Sequence, residues 1–458
     1  MKNNLLRFLR RAAFPAVTVA LAAVPLSAQK PPAYAFKNVQ IHLADGSVQK
    51  GNIVWRDGVL ESVGATAVPF DAYTLADGGD SLHAYPGLID GSASWGAPEW
   101  PRDLPRPARM GEPPYARAGI QPERIPADVI KFDNAWIDKA RRAGFTQFAS
   151  SLEGKLMPGT VQAFHLSGTD PKTAVARDAA GIKVQFEASD VYPSTLMAMI
   201  SRIRQLWNDA TALQEHQQLY AASPSTTPLP SREPVLEALF PVMSKQLPFY
   251  FHADSKEDIE RVLRLKRELG FDLVLVGARE GWMVKDELAK QKIAVLATVN
   301  LADKPKWMDV KADTSKKAPK KADPSDEEKA FREKQEAAWK ADVANIKELQ
   351  KAGIKVGFSG LGIKAEDVRK KLDLLFANGY DEKELLPVLT RNTAEILGLG
   401  AVSGDLKKGF QAHIQLLSKP LSDSKTTIKH HVAAGSHKDL SQQDAAPVMR
   451  GRRPSEDK

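Results

Sequence analysis

The chain has 458 residues, of which 43% are hydrophobic, contains no cysteine and carries a formal net charge of +8. It is long enough to bury a large core, and its composition excludes a disordered chain, a disulfide scaffold and any thiol or thiolate-metal chemistry. Half of that charge sits in residues 1–28, which hold Lys2, Arg7, Arg10 and Arg11 and no acid, so the remainder carries +4 and has no nucleic-acid footprint.

Residues 1–28 combine these bases with an apolar run over 12–26 and a small-residue site, Leu26-Ser27-Ala28, the pattern of a cleaved secretory signal peptide. A membrane anchor is the rival reading, but Pro15, Pro25 and the shortness of the run count against it. Arg10-Arg11 lacks the surroundings of a twin-arginine signal. The expectation is an exported, periplasmic protein with no membrane span after cleavage.

Over 35–82 short alternating runs are broken by Asp45-Gly46 and Asp57-Gly58, dipeptides that tolerate positive φ and mark hairpins. Their partners are expected at 413–417 and 427–432, which makes 35–82 and 405–435 one small discontinuous β-sandwich domain. Between them lie eight β-like runs: 85–90, 145–150, 161–166, 183–188, 248–253, 272–277, 293–298 and 355–359. Most are separated by helical patterns, so the expected class is α/β, a (β/α)8 TIM-like barrel over 83–400. Leu196, Met199, Ile200, Ile203, Leu206 and Trp207 recur at helical spacing as barrel packing. Ser255 and Asp381 start capping boxes, and Ser325 caps a further helix. Residues 303–324, rich in Lys, Asp and Pro without apolar period, read as a mobile insertion, and 437–458 as a disordered tail.

Three segments carry a resemblance: Pro86-Gly87-Leu88-Ile89-Asp90, Asn392-Thr393-Ala394-Glu395-Ile396-Leu397-Gly398, and the turn from Gly404 to Gly409. Together they resemble the amidohydrolase superfamily. Tyr192-Pro193-Ser194 and Leu275-Val276-Gly277-Ala278-Arg279-Glu280 are similar to a periplasmic, imidazolonepropionase-like branch of it. The resemblance runs from about Ala35 to about Gly435. It implies metal-assisted hydrolysis of a C–N bond in a non-peptide amide, lactam or dipeptide.

That chemistry needs ligands at strand ends, and the sequence departs from the pattern. The two histidines expected on strand one are Ser92 and Ser94, strand six ends at Gly277, and the strand-eight Asp falls at Ser359 or Gly360. His252 on strand five matches a ligand position, and Glu187 stands where some single-metal members use Glu. Lys183 falls at the end of strand four away from the pocket. His165 reads as a core histidine. A hydroxyl is a weak zinc ligand, and a His with a Glu does not make a tight site. No catalytic residue is therefore assigned, and a divalent metal, zinc, is implied only if His252 and Glu187 retain one. The alternative is a non-catalytic barrel that binds a small molecule, or partners an active paralogue or a second copy of itself.

Overall fold

The computed structural model describes residues 30–101, 103–309 and 325–441. Residues 1–29, which include the expected signal peptide, residues 310–324 of the insertion and residues 442–458 lie outside the described residues. Among the described residues, sixteen strands form two sheets.

The first sheet gathers β1 (Ala33–His42), β2 (Val48–Arg56), β3 (Val59–Gly64), β4 (Ala72–Asp77) and β5 (His83–Pro86) from the front of the chain. From the back come β14 (Ile414–Leu417), β15 (Ile428–Ala433) and β16 (Ser436–Asp439), and the path across the sheet is β16-β15-β14-β5-β1-β2-β3, with β4 beside β1. The Asp57-Gly58 turn takes φ 48° and 75° at its two residues, the left-handed pair that matches strand twist in a tight hairpin. Phe36, Ile41, Ile53, Trp55, Ile414 and Leu416 bury the domain's own core.

The second sheet is the barrel, in order β6 (Leu88–Ala93), β7 (Phe145–Ser151), β8 (Gly159–His165), β9 (Val175–Gln185), β10 (Phe249–Ala253), β11 (Leu273–Gly277), β12 (Ala294–Thr298) and β13 (Val356–Ser359). Each of the eight expected runs has a strand. An inner core of Ile89, Ala149, Val161, Tyr250, Val276 and Leu296 is distinct from the outer core between strands and helices. The helices follow the expected periods. Leu196–Ala222 buries Met199, Ile203 and Leu206, Ser255 caps Lys256–Leu269, and Asp381 and Glu384 form a reciprocal capping box.

Four readings change. The α/β barrel with its composite small sheet stands as expected, but one strand differs in direction: β8 runs antiparallel to both β7 and β9, and the three form a helix-free meander. Tyr85 belongs to β5 in the small sheet, so the barrel begins at Leu88, one tight Gly87 later. At Gly87 any Cβ would lie 2.1 Å from Thr146 Oγ1. The strand reading continues past 437, since His437 and Asp439 pair with Val432 and His430. In the insertion, Trp307 donates its indole N–H to Gln335 at 2.8 Å, and Met308 packs on the core, so 307–308 are docked.

No backbone ladder joins β13 to β6 among the described residues, and side chains fill that seam. Low in the barrel, the helix Arg391–Ile396 supplies Thr393, whose Oγ1 accepts the Phe358 N–H at 2.8 Å, and Asn392, which donates to the Val356 carbonyl at 2.9 Å. Tyr250 donates its hydroxyl to the Ile396 carbonyl at 3.0 Å, fixing the plug against the inner core. Higher up, one oxygen of the fully buried Asp90 accepts the Gly360 N–H at 2.8 Å and the Ser92 N–H at 3.0 Å. Each contact satisfies a main-chain group that would otherwise be buried unpaired.

Candidate functional site

In a barrel of this kind the strand ends supply the reacting groups, and the register decides which side chains face inward. Tyr250 faces the inner core, so His252, two residues on in β10, faces the barrel mouth. Its Nε2 lies 3.4 Å from Asp254 Oδ2, and its side chain is one-third exposed. Burial raises the Asp254 carboxyl, but the hydrogen bond and charge of His252, with the charge of Arg279, hold it below the usual carboxylate range. Asp254 Oδ1 is buried without a hydrogen-bond partner.

Gly277 adjoins this pair. It adopts φ 90°, and a Cβ there would lie 3.1 Å from His252 Nε2 and 2.4 Å from Asp254 Oδ1. The strand-six position therefore abuts His252 but brings no donor to it. Tyr250 and His252 pair with Lys183 and Gln185 of β9, so Lys183 also faces inward, near the C-terminal end of its strand and not at the far end. It is already engaged: its Nζ donates to the Leu152 carbonyl at 3.0 Å, and burial pulls its pKa down to about 8 against the pull of Glu153 and Glu187. Gln185 donates to the Gly154 carbonyl at 2.7 Å, so the β7–β8 loop lies across the inward face of β9.

Glu187 stands two residues beyond β9. More than half exposed, it pairs with Lys155 at 3.0 Å. Ser92 and Ser359 are buried and meet across the seam, with Ser359 Oγ 3.5 Å from the Ser92 carbonyl. Ser94 is partly buried. Gly360 is closed to any side chain, because a Cβ would lie 2.1 Å from Asp90 Oδ2. That oxygen has no hydrogen-bond partner, and burial raises the Asp90 pKa to about 7 against the two N–H donors.

The positions thus separate into a seam group of Asp90, Ser92, Ser359 and Gly360 and a mouth group of His252, Asp254 and Gly277. Among the described residues, no three His, Cys, Asp or Glu side chains converge to hold a metal ion. The donor set does not fit the divalent metal that such a barrel implies: two hydroxyls, one imidazole tied to a carboxylate, and two positions without side chains. Five surface clefts of 330 to 580 Å3 are lined by other residues. Sequence reasoning missed Asp254, Asp90 and the inward direction of Lys183. The first two were visible beside residues that were singled out, whereas the third follows from a strand longer than its apolar run.

Of the remaining histidines, His165, His413 and His431 lie at the contact between the two sheets, His430 and His437 pack against Phe36 in the small sheet, and His216 sits at an exposed helix end 3.0 Å from the Pro228 carbonyl. His431 Nε2 is 2.7 Å from the Phe145 carbonyl, His165 stacks on His413 with centroids 5.0 Å apart, and His42 stacks on Tyr85 at 4.0 Å. Burial lowers His165 to about 4 and His431 to about 3, and lowers His413 as well, so all three are neutral at ordinary pH.

No family model matches the sequence, and no curated protein does. Solved structures do match. An amidohydrolase from Thermotoga maritima MSB8 superposes with a TM-score of 0.71 at 20% identity, covering 88% of this chain and 99% of its own. A molinate hydrolase reaches 0.51 at 13% identity over 94% of this chain and 99% of its own. A Xaa-Pro dipeptidase with bound methionine reaches 0.50 at 13% over 89% and 100%. At such identities the likeness is one of architecture, and with the barrel, the composite small sheet and the plugged seam it establishes that this chain has the amidohydrolase fold.

Proposed function

We propose that this protein is an exported member of the amidohydrolase superfamily whose barrel binds a small molecule and does not carry out metal-assisted hydrolysis. The observation that carries the reading is at strand eight: Asp90 Oδ2 occupies the space that a side chain at 360 would need, so no carboxylate extends from there to take a proton from water. The serines at 92 and 94, the glycine at 277 and the pairing of Glu187 with Lys155 support it. Export rests on the signal-like residues 1–28, and no helix among the described residues is long and apolar enough to cross a membrane.

The test is metal content together with His252→Ala. Protein purified from medium supplemented with zinc and manganese is expected to hold well under one equivalent after dialysis, in wild type and variant alike. Stoichiometric metal in the wild type that disappears in the variant overturns the reading. A second reading, a retained hydrolase of C–N bonds, is favoured by the His252–Asp254 pair, which leaves one imidazole oriented at the mouth. Turnover of a dipeptide, hydantoin or lactam by wild type, lost in His252→Ala, would establish it.

A further inference from the structure

After β6 the chain runs through a proline-rich segment to the helix Asn134–Arg142. This segment is tied to the β7–β8 loop, with the Gln121 N–H donating to the Met157 carbonyl at 2.7 Å and an isolated bridge between Ile120 and Met157. Within it a cleft of about 460 Å3 is walled by Trp100, Pro101, Leu104 and Pro105, with Arg117 and Arg124 as its charged lining. The indole of Trp100 rests over Gly154, where a Cβ would come within 3.3 Å of its ring. Among the described residues, no acidic side chain lines the cleft.

The two arginines differ. Arg117 is satisfied, with two nitrogens on Asp190 at 2.6 and 2.5 Å and its Nε on the Pro105 carbonyl at 2.9 Å. Arg124 is half-buried, and its guanidinium has no carboxylate or carbonyl partner among the described residues; burial alone acts on it and lowers its pKa. Only its main chain is engaged, the carbonyl accepting from the Thr160 N–H at 3.0 Å. A partly desolvated cation without a counter-charge is costly, and a planar guanidinium fork matches a carboxylate. The Lys-rich cleft near 364–371 lacks this feature, since Lys370 pairs with Asp367 at 2.8 Å and Lys371 with Asp303 at 3.2 Å.

We infer that the Trp100–Arg124 cleft is a binding site for a small organic carboxylate with an apolar body, the carboxylate on Arg124 and the body against Trp100 and the prolines. The volume suits a molecule of that size, and an apolar wall with one oriented polar group is the usual composition of such sites. None of the metal-equivalent positions lines the cleft, so its occupancy is separate from whether the barrel hydrolyses anything.

Isothermal titration calorimetry on the purified protein tests this with N-acetyl-L-leucine, its neutral amide N-acetyl-L-leucinamide, and inorganic phosphate. The acid is expected to bind, with the amide and phosphate each weaker by about tenfold or more. Arg124→Gln should weaken the acid by a similar factor and Trp100→Ala by several-fold, with melting temperatures close to wild type. If Arg124→Gln fails to fold, Arg124→Lys keeps the charge without the planar fork and should still weaken the acid. Absence of acid binding at millimolar concentration, equal binding of acid and amide, equal binding of phosphate, or wild-type affinity in a folded Arg124 variant overturns the assignment.

Discussion

Asp90→Asn tests the barrel seam directly. Asp90 is fully buried, accepts two main-chain N–H groups on one oxygen and leaves the other without a partner, and burial raises its pKa from 3.8 to about 7. A carboxyl whose pKa is higher folded than unfolded contributes stability that is fully present below the unfolded pKa. That stability is lost as pH rises through the folded pKa, here over the window from about 4 to about 7. At about 1.36 kcal/mol per pKa unit, the loss attributable to Asp90 between pH 5 and pH 8 is about 2.5 kcal/mol, an upper figure because relaxation and water penetration reduce it. Asparagine keeps an acceptor for both N–H groups and cannot ionise. Urea unfolding of wild type and Asp90→Asn at the two pH values, compared as a difference, cancels the other titrating groups. The variant should gain on wild type by about 1 to 2.5 kcal/mol at pH 8 relative to pH 5. Parallel pH profiles, or a variant equally destabilised at both, would refute the reasoning that this carboxyl is neutral in the fold.

Gly360→Ala places a Cβ 2.1 Å from Asp90 Oδ2 and should destabilise by about 1 to 3 kcal/mol, with Asp90→Gly restoring part of the loss in a double-mutant cycle followed by denaturant unfolding. His431, lowered to about 3 by burial, contributes stability that is present above its unfolded pKa near 6.5 and lost as pH falls toward 3. His431→Gln should therefore flatten the acid limb of a thermal-melt series between about pH 6.5 and pH 4, and an unchanged limb would show that His431 does not titrate in unfolding. Trp307→Ala removes the indole contacts to Gln335 and Arg332 and should lower stability by about 1 kcal/mol, whereas no change in melting temperature would show that 307–308 contribute nothing to docking.

Much of the architecture was legible in the sequence because it is carried by local rules. Asp-Gly turns, an N-cap at Ser255, a capping box at Asp381, and eight apolar runs state elements that form wherever those residues occur, and the sheet built from both ends followed from pairing unmatched edges. The two most specific runs, Pro86–Asp90 and Asn392–Gly398, proved to do the same structural job. Asp90 and Thr393 satisfy main-chain groups along the seam between β6 and β13, so these runs report the fold and say nothing about the chemistry at the mouth. What the sequence could not state depends on register and on contacts between residues far apart in the chain. The antiparallel course of β8 is a matter of which edge β8 meets, and Lys183 turns inward because β9 extends to Gln185 opposite His252. Glu187 is engaged by Lys155, from another loop, and Gly360 is sealed by a carboxyl group 270 residues away in sequence. Secondary structure is set by neighbours a few residues apart, whereas a site is set by where non-local packing aims each side chain, and only the tertiary structure fixes that.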